Sequence, residues 1–412
     1  MTTTRPAHAT AWRNAVFAVF ALNGLGAAAW AIRIPSIRDH LELSTSFVGY
    51  LILGISVGSI IGLLLASHVI QWLGGRRTIA IMLAVCALAL AGIGLGASVV
   101  GSFGVVVAAM AVYGFGSAIC DVAMNVEGAA VEKAIGKTIM PLFHASWSAG
   151  MVIGTSIGTA LVFAHIDIAA HAVGMAALLL LGAIVAPRAI PRVATHADTG
   201  EEVAHVSFRD RMSIWLEPRT LAIGLIALGM AFTEGSANDW LALGMVDDRG
   251  LENGQAAALF TVFTASMMVG RIAGGPFIDR FGRVLVLWIT GGAAAIGLAL
   301  VILVPVIPLA IVGIVLWGIG ASLGFPIAMS AAADDPARAA ARVSAVATVG
   351  YCAFLVGPPL IGVVGEHLGI LNALLIVFVL IVLATLAAPA ARPPRGIRQD
   401  AAASAAASES MS

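Results

Sequence analysis

The chain has 412 residues, of which 60% are hydrophobic and only 11% charged, with 22 basic and 22 acidic side chains. So few charges cannot wet the surface of a soluble domain, so lipid is the solvent and the chain is an integral membrane protein. A net charge of zero argues against a nucleic-acid partner, and Cys86, Cys120 and Cys352, lying in apolar runs, form neither a disulfide framework nor a metal cluster.

A helix crosses the hydrocarbon layer in about 20 residues. The first such run extends roughly from Trp12 to Ile34; it is too long for a signal-peptide core and is read as a retained span. Runs of similar size follow at roughly 46–69, 78–99, 102–131, 139–162 and 169–187. A polar stretch intervenes, and the pattern resumes at roughly 218–243, 254–277, 284–304, 308–332, 342–365 and 370–389. The expected fold is all-α, with twelve transmembrane helices in two pseudo-symmetric six-helix bundles. Residues 1–187 form the first bundle, 188–217 a cytoplasmic linker, 218–389 the second bundle and 390–412 a disordered cytoplasmic tail.

Basic residues support this threading. Arg76 and Arg77, Lys133 and Lys137, Arg188 and Arg192, Arg280 and Arg283, and Arg338 and Arg342 all fall in loops on one side. The other side holds only Arg33, Arg38 and Arg249, and Arg271 lies inside the eighth span. The positive-inside rule then places both termini in the cytoplasm.

The two halves echo one another. QWLGGRR from Gln71 and DRFGR from Asp279 follow the second and eighth spans, and Gly74 and Gly282 are 208 positions apart. GPFIDRFGR, Gly275 to Arg283, resembles the signature loop of the major facilitator superfamily. WAIRIP near Trp30, DVAMN at Asp121, FHASWS at Phe143 and NDW at Asn238 resemble a bacterial branch near the fucose–proton type of sugar permease. In that family the loop acid caps a neighbouring helix and pairs with an arginine, steadying the outward-open state. The resemblance gives this latch role to Asp279, Arg280 and Arg283, and more weakly to Arg76 and Arg77, where Gln71 replaces the acid. It also implies that spans 2 and 11, and spans 5 and 8, meet across the halves. Gly54, Gly58 and Gly62, with Gly150, Gly154 and Gly158, recur every fourth residue and are expected to form sliding seams there. Gly270, Gly274, Gly357 and Gly362 would face them.

Ionisable groups at membrane depth mark ion or substrate paths. Glu234 falls about 24 Å into the seventh span, with Asn238 one turn further on. Asp239 and Trp240 fit the membrane boundary. Asp121 and Asn125 are spaced for one face of the fourth span, and His144 enters the fifth at similar depth, so the three form an expected polar cluster. Asp121, Glu234 and His144 are the proton-coupling candidates. Asn23, Tyr113, Asn125, Asn238, Trp317 and Tyr351, with Arg33 at the outer end of the first span, are the substrate-binding candidates. Glu132 is expected to be solvated.

These residues suit a monomeric secondary transporter of a small sugar-like or aromatic solute, driven by proton symport, with protons and lipids as its other partners and no cofactor. Proton-coupled efflux of drug-like compounds is the alternative, and a non-transporting membrane sensor is the reading from another class. No nucleotide loop or nucleophile–base pair suggests an enzyme.

Overall fold

Gly74 and Gly282 adopt the same left-handed turn, with φ 75° and ψ 154° at one and φ 77° and ψ 158° at the other. Glycine carries no Cβ penalty there, so each ends one long helix and starts the next without a loop. The repeat seen in the sequence is thus a repeat of backbone geometry. The computed structural model describes residues 6–135, 139–191, 214–335 and 338–393, and these are helical apart from short connections. Most of the 188–217 linker and of the 390–412 tail lies outside the described residues.

The first half comprises α1 (Pro6–Ala31), a short α2 (Ile34–His40), α3 (Thr45–Leu73), α4 (Gly75–Ser98), α5 (Phe103–Ile135), α6 (Met140–Phe163) and α7 (Ile168–Val185). The second half starts with α8 (Pro218–Ser236), which runs through a π-helical turn, Ala237–Leu241, into α9 (Ala242–Asp247). There follow α10 (Asn253–Phe281), α11 (Arg283–Leu303), α12 (Ile307–Ala321), α13 (Gly324–Ala332) and α14 (Ala339–Leu368). The last crossing is α15 (Ile370–Ala373) with α16 (Leu375–Leu386). Among the described residues, eleven continuous helical stretches are long and apolar enough to cross a membrane, and the shorter apolar Ile370–Leu386 is the twelfth. The chain is a multi-pass membrane protein.

Lipid tails are as apolar as leucine, so these helices are held by close packing rather than by hydrophobic burial. Leu88, Leu181, Leu303 and Leu386 point outward. Inside the first half, α3 packs on α5, α1 on α6, and α4 on both α5 and α7; in the second, α8 packs on α14 and α16, and α11 on α12. The expected cross-half pairs are present: α3 meets α14, and α6 meets α10.

The glycine rows do not form those seams. Gly54, Gly58 and Gly62 lie against Val107, Ala111 and Phe115 of α5, within the first half. Gly150 and Gly154 face Ala21, Leu25 and Ala28 of α1, Gly158 faces Ile32, and Gly270 and Gly274 face Ser322 and Leu323. Gly357 sits under Phe232 of its own half. The four-residue period serves static packing inside each bundle. On the eleventh span Gly362 reaches across to meet Gly49, and so do Pro358 and Pro359, which belong with it in the expected facing surface.

Candidate functional site in the cleft between the halves

The bundle has a near end, carrying the Gly74 and Gly282 turns, and a far end at the opposite tips of the helices. Hydrogen bonds between the halves among the described residues lie at the far end or at mid-depth. At the far end Asn253 donates to Asp39 at 2.8 Å, Arg38 pairs with Asp247, and Glu366 accepts from Ser44 Oγ at 3.0 Å and the Ser46 amide at 2.9 Å. Lower down, Thr159 and Thr261 hydroxyls meet at 3.0 Å, Thr155 and Thr264 at 3.3 Å, and Ser56 donates to the Phe354 carbonyl. Arg271 donates to Ser148 at 3.2 Å. Towards the near end, Leu64, Trp72 and Leu142 are exposed. The bonds between the halves among the described residues thus lie away from the near end.

At mid-depth the seventh crossing supplies Glu234. Arg271 of α10 places Nη2 2.9 Å from both its carboxylate oxygens. The guanidinium also lies 5.5 Å from the centre of the Trp147 ring of α6. Trp147 Nε1 donates to Asn23 of α1 at 3.2 Å. Glu234, Arg271, Trp147 and Asn23 therefore form one continuous chain across the two halves. A lone arginine in an apolar span signals this chemistry, but no spacing rule ties it to an acid 37 positions earlier.

A cavity of about 190 Å³ adjoins this chain, bounded by Trp30 of α1, residues of α3, the π turn and Tyr351 and Phe354 of α14. Asn238 and Asp239 line it. Five α-helical steps would turn Asp239 about 140° away from Glu234; the wider π turn shortens that rotation and brings it to the cavity, a use such turns often serve. Asp239 is 9% exposed and Trp240 is fully enclosed, so both point into the bundle. The NDW triplet drew attention to this place in the sequence; the helix widening that repositions it left no sequence mark.

The other candidates divide. Asn125 donates to the Asp121 backbone carbonyl at 2.8 Å and to its carboxylate at 3.4 Å, as the spacing predicts. His144 does not join them. It packs on the Phe20 ring at 5.3 Å, because α1 lies against both α5 and α6. Tyr113 and Trp317 are buried inside their own halves; Trp317 donates to the Thr233 carbonyl at 3.2 Å and stacks edge-on with Phe263. Arg33 is a structural tie, donating to His171 Nδ1 and the Ile166 carbonyl, each at 2.9 Å. Of the aromatic candidates only Tyr351 reaches the cavity.

The latch residues divide as well. Asp279 is exposed and makes no ion pair among the described residues, while Arg280 rests on Phe281. The acid that gathers arginines is Asp334, which accepts from Arg283 at 2.6 Å and Arg219 at 2.7 Å. Arg76 makes one long contact with the Ile190 carbonyl at 3.4 Å, and Arg77 is exposed. Glu132 is not merely solvated: it accepts the Ile139 and Met140 amides at 2.8 Å, capping α6. Glu217, just ahead of α8, is held below the usual glutamate range by its bond to Arg342, aided by Thr220 and Arg338.

The family model described as Major Facilitator Superfamily matches residues 16–353 and 240–409. The chain belongs to this superfamily. It is 30% identical over 358 residues to the uncharacterised transporter y4wD of Sinorhizobium fredii, covering 87% of this chain and 92% of that one. It is also 30% identical over 378 residues to an uncharacterised MFS-type transporter of Yersinia pestis, covering 90% and 93%. Among solved structures, that of a single-residue mutant of the nucleoside transporter NupG superposes with a TM-score of 0.74 over 92% of this chain and 99% of that one, at 15% identity. An inward-facing bacterial homologue of the lysosomal transporter Spinster gives 0.69 over 94% and 98%, also at 15% identity. At such identity these two share the fold alone. The chain is a membrane transporter of the major facilitator type.

Proposed function

We propose that the protein is a secondary active transporter that carries a small sugar-like or aromatic solute into the cell by alternating access, with proton symport. The observation that supports alternating access is that, among the described residues, the hydrogen bonds between the halves lie at the far end and at mid-depth and none lies between the near tips. With the basic loops facing the cytoplasm, the near end is the inner end and this is the inward-facing arrangement.

Proton coupling is supported by Asp121, whose carboxylate has Asn125 as its hydrogen-bonding neighbour and no ion pair among the described residues. A carboxylate held this way in a low-dielectric setting changes charge more readily than one fixed to an arginine. Glu234 takes part through Arg271, since its protonation would free the guanidinium. His144 stands within electrostatic reach of Arg271 and completes the set.

The test uses proteoliposomes loaded with a pH-sensitive dye and offered sugars, nucleosides and small amines one at a time. Symport acidifies the lumen when a transported solute is added outside. Alkalinisation would instead indicate exchange, the efflux reading, and no flux of any kind would favour a sensor. Asp121→Asn is expected to abolish solute-driven acidification while retaining solute exchange at equal pH. Acidification at the wild-type rate in that variant removes Asp121 from the coupling step.

A further inference from the structure

The cavity beside the π turn has one carboxylate, Asp239, and no basic residue in its lining. Asp239 is nine-tenths buried, with no hydrogen bond or ion pair to any described residue. The other acid of this crossing, Glu234, is already neutralised by Arg271. Two more polar atoms at the same cavity lack protein partners: the indole Nε1 of Trp30, itself nine-tenths buried, and Oδ1 of Asn238. Buried polar atoms are almost always satisfied, and each one left alone calls for an explanation. All three belong to residues that line one cavity, and together they point to a ligand that satisfies them.

Their chemistry specifies the ligand. Asp239 and Asn238 Oδ1 are acceptors, so the ligand must bring donors, and beside an unpaired carboxylate the best donor is a cation. Trp30, Tyr351 and Phe354 supply aromatic surface around the same space, which also favours a cation. The Trp30 N–H needs an acceptor, such as a hydroxyl or carbonyl oxygen, on another part of the same molecule. A neutral polyol would satisfy Trp30 and Asn238 but leave Asp239 uncompensated, and a carboxylate solute would meet repulsion.

We propose that this cavity is the solute-recognition site and that it takes a small amine-bearing solute, its ammonium on Asp239 and Asn238 and an oxygen on Trp30. The proposal rests on the transport reading above and narrows its solute class. It is tested by binding to purified protein in detergent, which does not require translocation, so its failure is separable from failure of the transport reading.

The probes are two matched sets: phenethylamine, 2-phenylethanol and phenylacetate, and glucosamine, glucose and gluconate. Binding is read by isothermal calorimetry. The amine of at least one set is expected to bind the wild type about tenfold or more tightly than its neutral and acidic partners. Asp239→Asn should weaken the amine about tenfold or more and leave the neutral partner unchanged. Asp239→Glu, which keeps the charge, should retain amine preference and guards against a variant that misfolds. Trp30→Phe should weaken the amine several-fold without changing its preference over the alcohol. Equal binding of amine and alcohol, undiminished amine binding to Asp239→Asn, or no amine binding at millimolar concentration overturns the proposal.

Discussion

Arg271 and Glu234 are each other's counter-charge in the middle of the membrane, with one guanidinium nitrogen equidistant from both carboxylate oxygens at 2.9 Å. Both side chains are mostly shielded, at 19% and 16% exposure. Removing one partner of a buried pair strands the other charge and costs about 3–5 kcal/mol, whereas removing both is often nearly neutral. Glu234→Gln and Arg271→Gln should each lower the midpoint of thermal unfolding in detergent, and the double variant should recover most of that loss. Additive losses would show that the two residues act separately.

The far-end seal gives a second prediction. Thr159 and Thr261 sit on opposite halves with their hydroxyls 3.0 Å apart, which makes them the pair to replace with cysteines. With the exposed Cys352 replaced by serine, Thr159→Cys with Thr261→Cys should cross-link on mild oxidation. The oxidised protein should lose uptake, and a reductant should restore it. Undiminished uptake with the bridge intact would mean that the halves do not part there.

Glycines inside and between the bundles should fail differently. A Cβ on Gly49 would stand 2.8 Å from the Pro358 carbonyl of the other half, whereas one on Gly58 would collide with Ala111 of its own half. Gly58→Leu is expected to destabilise the fold by overpacking, by about 1–3 kcal/mol or more. Gly49→Leu should fold with a near-normal unfolding midpoint but label readily at a cysteine introduced at Ser36. The opposite ranking in thermal unfolding would contradict this division.

At the near end, Glu217 is depressed chiefly by its bond to Arg342. A carboxylate whose folded pKa lies below its unfolded value, about 4.3, stabilises fully above that value and loses its contribution as pH falls through the folded one. Glu217→Gln should therefore lower stability at neutral pH and flatten the decline on acidification below about pH 4.3. Unfolding midpoints measured from pH 7 to pH 3.5 check this; parallel curves for variant and wild type would refute it.

The crossings, their order and the two-fold repeat were legible because they depend on residue type and span length. The 208-residue spacing of Gly74 and Gly282 was legible too, and the matching turns explain it, since the left-handed backbone leaves little choice but glycine. The i,i+4 bond of Asn125 to Asp121 was legible for the same local reason. Partners brought together by tertiary packing were not. Arg271 could have found any acid at its depth, and His144 missed Asp121 because α1 lies against both of their helices. Regular glycine spacing states that something packs closely but not on what, so the expected sliding rows turned out to be fixed contacts. Asp239 looked peripheral because counting along an α-helix takes no account of a widened turn.

Finally, the twelfth crossing, Ile370–Leu386, has only 17 residues. At 1.5 Å per residue it spans about 26 Å, against a hydrocarbon layer of about 30 Å. Leu375, Val379, Leu383 and Leu386 on its surface face the acyl chains. Ala388–Ala391 extends the crossing as a 3-10 turn to roughly the thickness of the layer, so mismatch along that flank arises in longer-chain lipids, and its elastic cost grows with lipid length. Acyl-chain composition thus becomes a variable that acts on one side of the molecule alone.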